Sequence, residues 1–560
     1  MAIGSTSSAA AGNPAWVRWL LPSSADAFFA ALFGLLSFTA LSVRLLGDAG
    51  IGWHIRTGQL ILRTHSIPRV DPFSTAAGQP WFAWEWLYDV AAGALDSVAG
   101  LNGVVLFTAV IIAVTFAWTF RLLLRRGTNV LLALILVLLA ASSSMIHALA
   151  RPHVVSWLFT VAWFWILESS DRSDACAGAF SSSTMPADRT WLLWLLPPLM
   201  LVWVNVHGGF LVGFVLLGIY WVGAMWHWLR LKEDRFEDVL LNIQTGRRVR
   251  ALTLSGIVTA VATLGNPYGF QLHVHIYRYL SNRFLMDHID EFQSPNFHYV
   301  AQKCFAVLLL LTLVALASRR REVGLRRGLV VLFAVYSGLY ATRNIPVSSL
   351  LLILVMGPGL SDAIARFAAT TVVVRRKKDA IRLRKPYSAP FLQRMLVIEL
   401  SLRGHLWPIA AIALSCWIAA HGGKLGARTV MDAHFSEKRF PVAAVNYLEA
   451  HDVPGPLVSL DSWGGYLIYR LYPRVRMVVD DRHDFYGEDF IKSYLKMVHV
   501  EPGWEEFLRQ HPARCVLMPK DSALANILLQ AQGWQLIYKD EVAAAFVPTL
   551  APLMLQNSSH

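Results

Sequence analysis

Three side chains able to handle protons or bind oxygens, Asp48, Trp53 and His54, sit close together in "GDAGIGWHIRTG", residues 47–58. Asp48 directly follows an apolar run, 27–46, broken by the single charge of Arg44. A carboxylate at the head of a loop, half desolvated by aromatic neighbours, has its pKa raised toward the range of a working base. The plainer reading is that Asp48 caps the helix that follows it.

Other short polar motifs carry the same residue types. "WFAWEWLYD" (81–89) holds Trp84 and Glu85, "ARPHVV" (150–155) Arg151 and His153, and "WVNVHGGF" (203–210) Asn205 and His207. "LGNPYGFQLHVH" (264–275) holds Asn266, "DHIDEFQSPNFH" (287–298) Glu291, and "ATRNIP" (341–346) Arg343. Arginine's planar fork suits phosphate oxygens, and a snorkelling arginine at a helix end is the alternative. The histidines can bond hydroxyl or phosphate oxygens. "NVHGG" also fits a broken helix end whose backbone groups need partners in lipid. The tryptophans read either as an interfacial aromatic belt or as a stacking platform for sugar rings or prenyl chains.

The elements that hold these residues are mostly membrane helices. Of 560 residues, 55% are hydrophobic and only 16% charged, and mean hydropathy is +0.45. Soluble proteins carry about 25% charged residues. The first run is too long for a signal-peptide core and has no cleavage site after it, so it is read as a retained span. A helix needs about 20 apolar residues to cross a bilayer. The predicted spans are 27–46, 101–122, 129–149, 154–169, 190–206, 209–230, 251–265, 302–318, 327–341, 345–358 and 404–421, about eleven in all.

The net charge of +13 is concentrated in residues 1–421, at +15, while residues 422–560 carry −2. The excess lies in short clusters between apolar runs, which marks cytoplasmic loops and not a nucleic-acid surface. Loops 121–128, 170–189, 231–250, 318–327 and 359–403 are thereby placed inside, and 170–189 and 371–390 read as flexible. Every polar motif above then falls on the outer side. Their convergence predicts one extracytoplasmic cavity. Only Cys515 of four cysteines lies in a predicted outer soluble segment, so no disulfide framework exists. No CxxC or HExxH spacing marks a zinc site; no cofactor is expected, with a divalent metal held by His54, His153 and His207 together with Asp48 or Glu291 as the less favoured alternative.

Two domains are expected: a transmembrane domain, 1–421, with a long first outer loop at 47–100, and an extracytoplasmic α/β domain, 422–560. In the tail, 456–460, 475–480, 514–519, 534–540 and 542–548 read as strands, with helices at 464–472, 488–499, 503–510 and 521–531. Asp480, Asp481, Arg482 and Asp484 follow a strand's end, where α/β sheets bind ligands. A helix cap or a dock onto the membrane part would use the same residues. Of these, Asp481 is taken as the binding candidate.

This arrangement resembles the GT-C superfamily of integral membrane glycosyltransferases. The resemblance rests on the first membrane helix, the acid that opens the first outer loop (Asp48) and two interfacial helices in that loop. More closely, the chain resembles a group of bacterial multi-pass proteins sharing "D…GWHIRTG…IPRVDPFS…PW…EWL", "NVHGGF", "NPYG", "QSP", "RNIP" and "WGGYLIYRLYP…DDRHDFYG". The paired acids of many superfamily members are absent, since Ala49 follows Asp48. The resemblance implies a polyprenyl-phosphate-sugar donor, a glycan, lipid or protein acceptor outside the bacterial inner membrane, and Asp48 as base, with Glu85 and Glu291 as lesser candidates. Trp53, His54, Trp84, Arg151, His153, Asn205, His207, Asn266, Arg343 and Asp481 would bind substrate. Two other classes stay open: a transporter, though no internal repeat is visible, and a non-catalytic lipid–glycan binder or scaffold.

Overall fold

The computed structural model describes residues 16–76, 78–171, 189–231, 236–318, 323–375 and 388–549. Most of the expected loops 170–189 and 371–390, and part of 318–327, lie outside the described residues.

The first membrane helix is not where the apolar run places it. A capping box starts the helix Ser24–Phe38: the Ser23 hydroxyl accepts from the Asp26 amide and the Asp26 carboxylate accepts from the Ser23 amide. It ends at Thr39, whose hydroxyl donates to the Leu35 carbonyl at 2.6 Å. That bond competes with the helix ladder, and the backbone turns extended. Leu41–Leu45 is a separate short helix that carries the chain to Asp48. The span is therefore Arg18–Phe38, shifted toward the N-terminus of the predicted 27–46.

Among the described residues six helices are long and apolar enough to cross a membrane, or seven if the bent pair Arg394–Ser401 and Leu406–Ala420 forms one span. That is fewer than the eleven expected. His153–Ser169 and Thr190–Val204 are apolar but short. The run 251–265 is one end of the longer helix Phe236–Ala262, whose other half carries Arg247, Arg248 and Arg250. The run 327–341 forms the 16-residue Leu325–Tyr340. Trp86–Arg125 joins the second loop helix to the span at 101–122 through a kink at Gly100, where φ is +59°. Only glycine adopts that conformation without strain.

After Leu406–Ala420 the chain builds a small mixed sheet. Its strands are β1 (Leu457–Ser459), β2 (Cys515–Pro519), β3 (Trp534–Lys539) and β4 (Ala543–Pro548), in the order β1-β2-β4-β3. β1 and β2 are parallel, with Leu457 opposite Cys515; the other pairs are antiparallel. Val458, Val516 and Phe546 are fully buried in its core. The helix Glu488–His499 packs on it through Tyr494 and Met497, while Asp461–Leu471 lies against the first-loop helix Ile51–Thr64. The expected strand 475–480 shrinks to single bridges at Met477. Its backbone is divided between two partners: Val478 donates to Leu457, while Met477 donates to Phe73 in the first loop. The first loop thus continues the edge of the tail's sheet.

Two glycines set how closely the parts approach. A Cβ on Gly52 would lie 2.1 Å from the Gly465 carbonyl oxygen, and one on Gly465 would lie 2.2 Å from that of Ala49. The loop helix Ile51–Thr64 and the tail helix Asp461–Leu471 therefore cross backbone to backbone. Arg56 donates to the Tyr469 carbonyl at 2.8 Å beside this crossing. Deeper in, Arg482 of the tail bonds Asp71 of the loop at 2.8 Å and Asp480 at 2.7 Å, all three buried. Removing one partner of such a set would strand a buried charge, at about 3–5 kcal/mol.

Candidate functional site

The crossing at Gly52 delivers two distant carboxylates to one arginine. Arg151 Nη1 lies 2.9 Å from Asp48 Oδ1, 3.0 Å from Asp48 Oδ2 and 3.9 Å from Asp481 Oδ2. Asp48 Oδ1 also accepts the Gly50 amide at 2.8 Å. Gly50 sits at the centre: a Cβ there would be 2.7 Å from Asp481 Oδ2 and 3.0 Å from Asp48 Oδ1. Asp48 and Arg151 remain about a quarter exposed, so the cluster opens to incoming substrate. Asp481 is more enclosed, and its Oδ1 has no hydrogen-bond partner. Burial pushes its carboxyl up to about 7; Arg151 opposes that shift, while Asp48 and Asp480 add to it.

Trp53 forms the partition between this cluster and a second group. Its indole Nε1 donates toward Asp481 Oδ2 at 3.4 Å, and its ring lies 3.6 Å from that of His54. Behind it, His54 Nδ1 and Asp89 Oδ1 are 2.5 Å apart, both fully buried. Glu85 stands between two imidazoles, 3.8 Å from His54 Nε2 and 3.9 Å from His207 Nε2. The His207 Nδ1 accepts the Gly209 amide at 3.0 Å and the Ser156 hydroxyl at 2.8 Å. His207 is therefore neutral and presents its remaining N–H, on Nε2, to Glu85. Burial drives the Glu85 carboxyl up to about 8, against the pull of Arg151 and with help from Asp484. Burial, followed by the Arg151 charge, likewise holds His54 well below the usual histidine range.

A small half-open cleft beside Glu85 leaves about 10 Å³, room for about one water or one hydroxyl group. Trp53, Trp84, Glu85 and Asp89 line it from the first loop, Arg482 and Asp484 from the tail. Trp84 reaches its place because Gly208 has no side chain: a Cβ there would be 2.7 Å from the indole. His275, 3.1 Å from Asp484, stacks on Phe82 next to the cleft.

The other predicted residues divide. Arg343 pairs with Glu291 at 3.5 Å and lies over the Phe292 ring. Burial raises the Glu291 carboxyl, but Arg343 and Arg151 overcome it and hold it down at about 2. His153 sits 6.3 Å from His207, ring to ring, and bonds the His147 carbonyl at 2.7 Å. Asn205 accepts from Trp86 Nε1 at 2.7 Å and donates to the carbonyls of Leu201 and Gly265. Its carboxamide staples three helix ends together. Asn266 likewise spends its side chain on Thr263, Tyr268 and Gly269.

Asp71, Asp89, His275 and Asp484 were not among the predicted site residues. Asp89 follows Glu85 by one helical turn in "EWLYD", and that i, i+4 spacing was the available signal. Asp71, in "IPRVDPFS", and His275, in "LGNPYGFQLHVH", lie in motifs already singled out, but their partners are some 410 and 210 positions away in the chain, so nothing local picks them from their neighbours. Among the described residues no group of three or more His, Cys, Asp or Glu is arranged to hold a metal ion.

No family model matches this chain, and no curated protein matches it. Solved structures do. The archaeal oligosaccharyltransferase AglB from Archaeoglobus fulgidus, in complex with an inhibitory peptide and a dolichol-phosphate, aligns with a TM-score of 0.50 at 12% identity. The alignment covers 89% of this chain and 69% of that one. ArnT from Cupriavidus metallidurans in the apo state aligns with a TM-score of 0.49 at 14% identity, over 93% of this chain and 97% of that one. The fold is accordingly GT-C-like: a polytopic helical membrane protein with a sheet-bearing C-terminal region.

Proposed function

We propose that this protein is a membrane glycosyltransferase, moving a sugar from a polyprenyl-phosphate donor to an acceptor on the outer face of a bacterial cytoplasmic membrane. The observation that carries this reading is the convergence of Asp48 and Asp481, from opposite ends of the chain, on Arg151. A base, an anion-binding cation and an acceptor-side acid are the parts such a transfer needs. The likeness of fold to AglB, whose structure contains dolichol-phosphate, supports the lipid-linked donor.

The chemistry follows from these groups. An acceptor hydroxyl attacks the anomeric carbon of the donor sugar, forming a new C–O bond, and its proton passes to Asp48. The bond from the anomeric carbon to the phosphate oxygen breaks, and the electron pair leaves with the polyprenyl phosphate. Arg151 neutralises that growing charge through its fork. In the resting site Arg151 grips both Asp48 oxygens. A donor phosphate that draws the guanidinium away frees the carboxylate to act as base. Arg343 is a second cation for the phosphate, and residues 422–560 form an outer domain that closes over the first loop.

Two measurements test this. The purified chain, given a radiolabelled polyprenyl-phosphate sugar and a membrane-extract acceptor, should release polyprenyl phosphate and label the acceptor; absence of donor binding returns the scaffold reading. A reporter active only in the cytoplasm, fused after residue 560, should stay silent. A working reporter reverses the side of every motif.

A further inference from the structure

We propose that the cleft beside Glu85 is a subsite for an uncharged, hydroxyl-bearing edge of a substrate sugar, held between Glu85 and Asp89 with Trp53 and Trp84 as apolar walls. This rests on the glycosyl-transfer reading, whose chemical step uses the Asp48–Arg151–Asp481 cluster and Arg343 and none of the groups in this cleft.

The argument begins with what the fold leaves unpaired. Asp89 is fully buried, and the His54 ring uses one of its oxygens, Oδ1. The other, Oδ2, has no partner, and Asp89 lines the cleft. A buried carboxylate oxygen without a donor is costly, so the site is completed by a group that brings one. Glu85, one helical turn before Asp89 on the same face, sits in a setting that favours its carboxylic acid form, able to donate. A hydroxyl satisfies both at once, donating to Asp89 and accepting from Glu85. Neither an anion nor an ammonium does so.

Charge on the walls points the same way. The groups facing Glu85 are His54 and Asp89 from the loop helices, His207 from the broken helix, and Arg482 and Asp484 from the tail, with Arg151, Arg343 and Glu291 acting on it from farther off. Arg482 spends its guanidinium on Asp71 and Asp480, and Asp484 is bonded to His275. No free cation lines the cleft among the described residues, so a uronate or phosphate would find no charge partner there. Trp53, one face of which is covered by the His54 ring, and Trp84 supply the apolar wall beside the hydroxyl position.

The test reads binding without lipid donor or turnover. The full chain in lipid nanodiscs is titrated with the methyl glycosides of glucose, galactose and mannose, with methyl glucuronide and with methyl glucosaminide, by saturation-transfer NMR. At least one neutral glycoside should bind at pH 6, at least tenfold better than the glucuronide or the amino sugar. Glu85→Gln, which keeps the hydrogen-bonding shape, should stay within about threefold of that affinity, and Glu85→Ala should lose about tenfold or more. Wild-type binding should weaken as pH passes about 8, while Glu85→Gln should not show that loss. Asp481, across Trp53, is unchanged in the variant, so any slope left near neutrality belongs to it. Binding of no neutral glycoside, equal binding of the glucuronide, a preference for the amino sugar, or an unaffected Glu85→Ala each overturns the subsite. Glycoside binding without any transfer sinks the transfer reading and leaves the subsite standing; transfer without glycoside binding does the reverse.

Discussion

The Asp48–Arg151–Asp481 cluster and the Glu85–His54–Asp89 group lie on either side of one indole, Trp53, yet they handle charge in opposite ways. In the first, Arg151 grips both oxygens of Asp48 at a half-open surface and opposes the upward pull of burial on Asp481. In the second there is no cation within bonding distance, so burial shifts the balance toward neutral forms. Two carboxyl environments separated by a side chain's width can serve different tasks, one as an arginine-paired base and the other as an uncharged hydrogen-bonding wall. That division can be attacked one residue at a time.

The largest effect belongs to the charged side. Asp48→Asn keeps the shape and removes the base, so transfer should fall by about 10²–10⁴-fold, while binding of the lipid donor persists. The check is single-turnover transfer alongside donor binding. Normal transfer by Asp48→Asn would move the base to the neutral side, with Glu85 next to be tested and Glu291 after it.

Next comes the crossing that brings the two halves together. Gly465→Ala drives a methyl group against the Ala49 carbonyl, 2.2 Å away, and the whole backbone must shift to admit it. Asp481 would then leave Arg151, and a misplacement of about 1 Å costs about 10²-fold in rate. Transfer should fall by roughly that factor while the helical content of the membrane part is unchanged. Wild-type activity in Gly465→Ala would mean that the tail's position is immaterial to the chemistry.

Asp481→Asn should act more gently, raising the acceptor KM by roughly tenfold with little change in turnover at saturation. In the wild type that KM should fall as pH rises through about 7, because Asp481 then becomes the better acceptor of a hydroxyl proton. The variant should lose this dependence. Loss of turnover in folded Asp481→Asn would instead place the chemical step at the tail's acid.

How much of this could be read from the chain is clear from particular residues. The membrane class, the α/β tail and the helix Glu488–His499 follow from hydrophobic patterning, which is local information. The first span was misplaced because the eye follows apolar residues, whereas the helix is set by the capping box at Ser23 and the hydroxyl at Thr39. Candidates chosen by residue type separated by what they touch. Asp48, Arg151 and Asp481 meet, and Glu85, His54 and His207 gather, while Asn205 and Asn266 are absorbed by backbone carbonyls and amides. Nothing local in "NVHGGF" distinguishes an asparagine that staples helices from one that faces a substrate. Asp89 shows the converse: it is set one turn after an acid in an apolar helix, and its importance comes from His54, 35 residues earlier.

The smallest effect is one of stability, and it isolates the neutral side. The folded chain holds the Glu85 proton at about 8, above the ordinary 4.5. A carboxyl raised in the folded state contributes stability that is complete below about 4.5 and is lost as pH climbs through about 8. Asp481, raised to about 7, works in the same direction. The wild-type melting temperature should therefore decline between pH 5 and pH 9, and Glu85→Gln, which has no proton to lose there, should decline less. Combining it with Asp481→Asn should flatten the profile further. Scanning fluorimetry of the detergent-solubilised protein at constant ionic strength measures this directly. If Glu85→Gln declines as steeply as the wild type, the Glu85 carboxyl is already ionised across this range, and the contrast between the two sides of Trp53 fails.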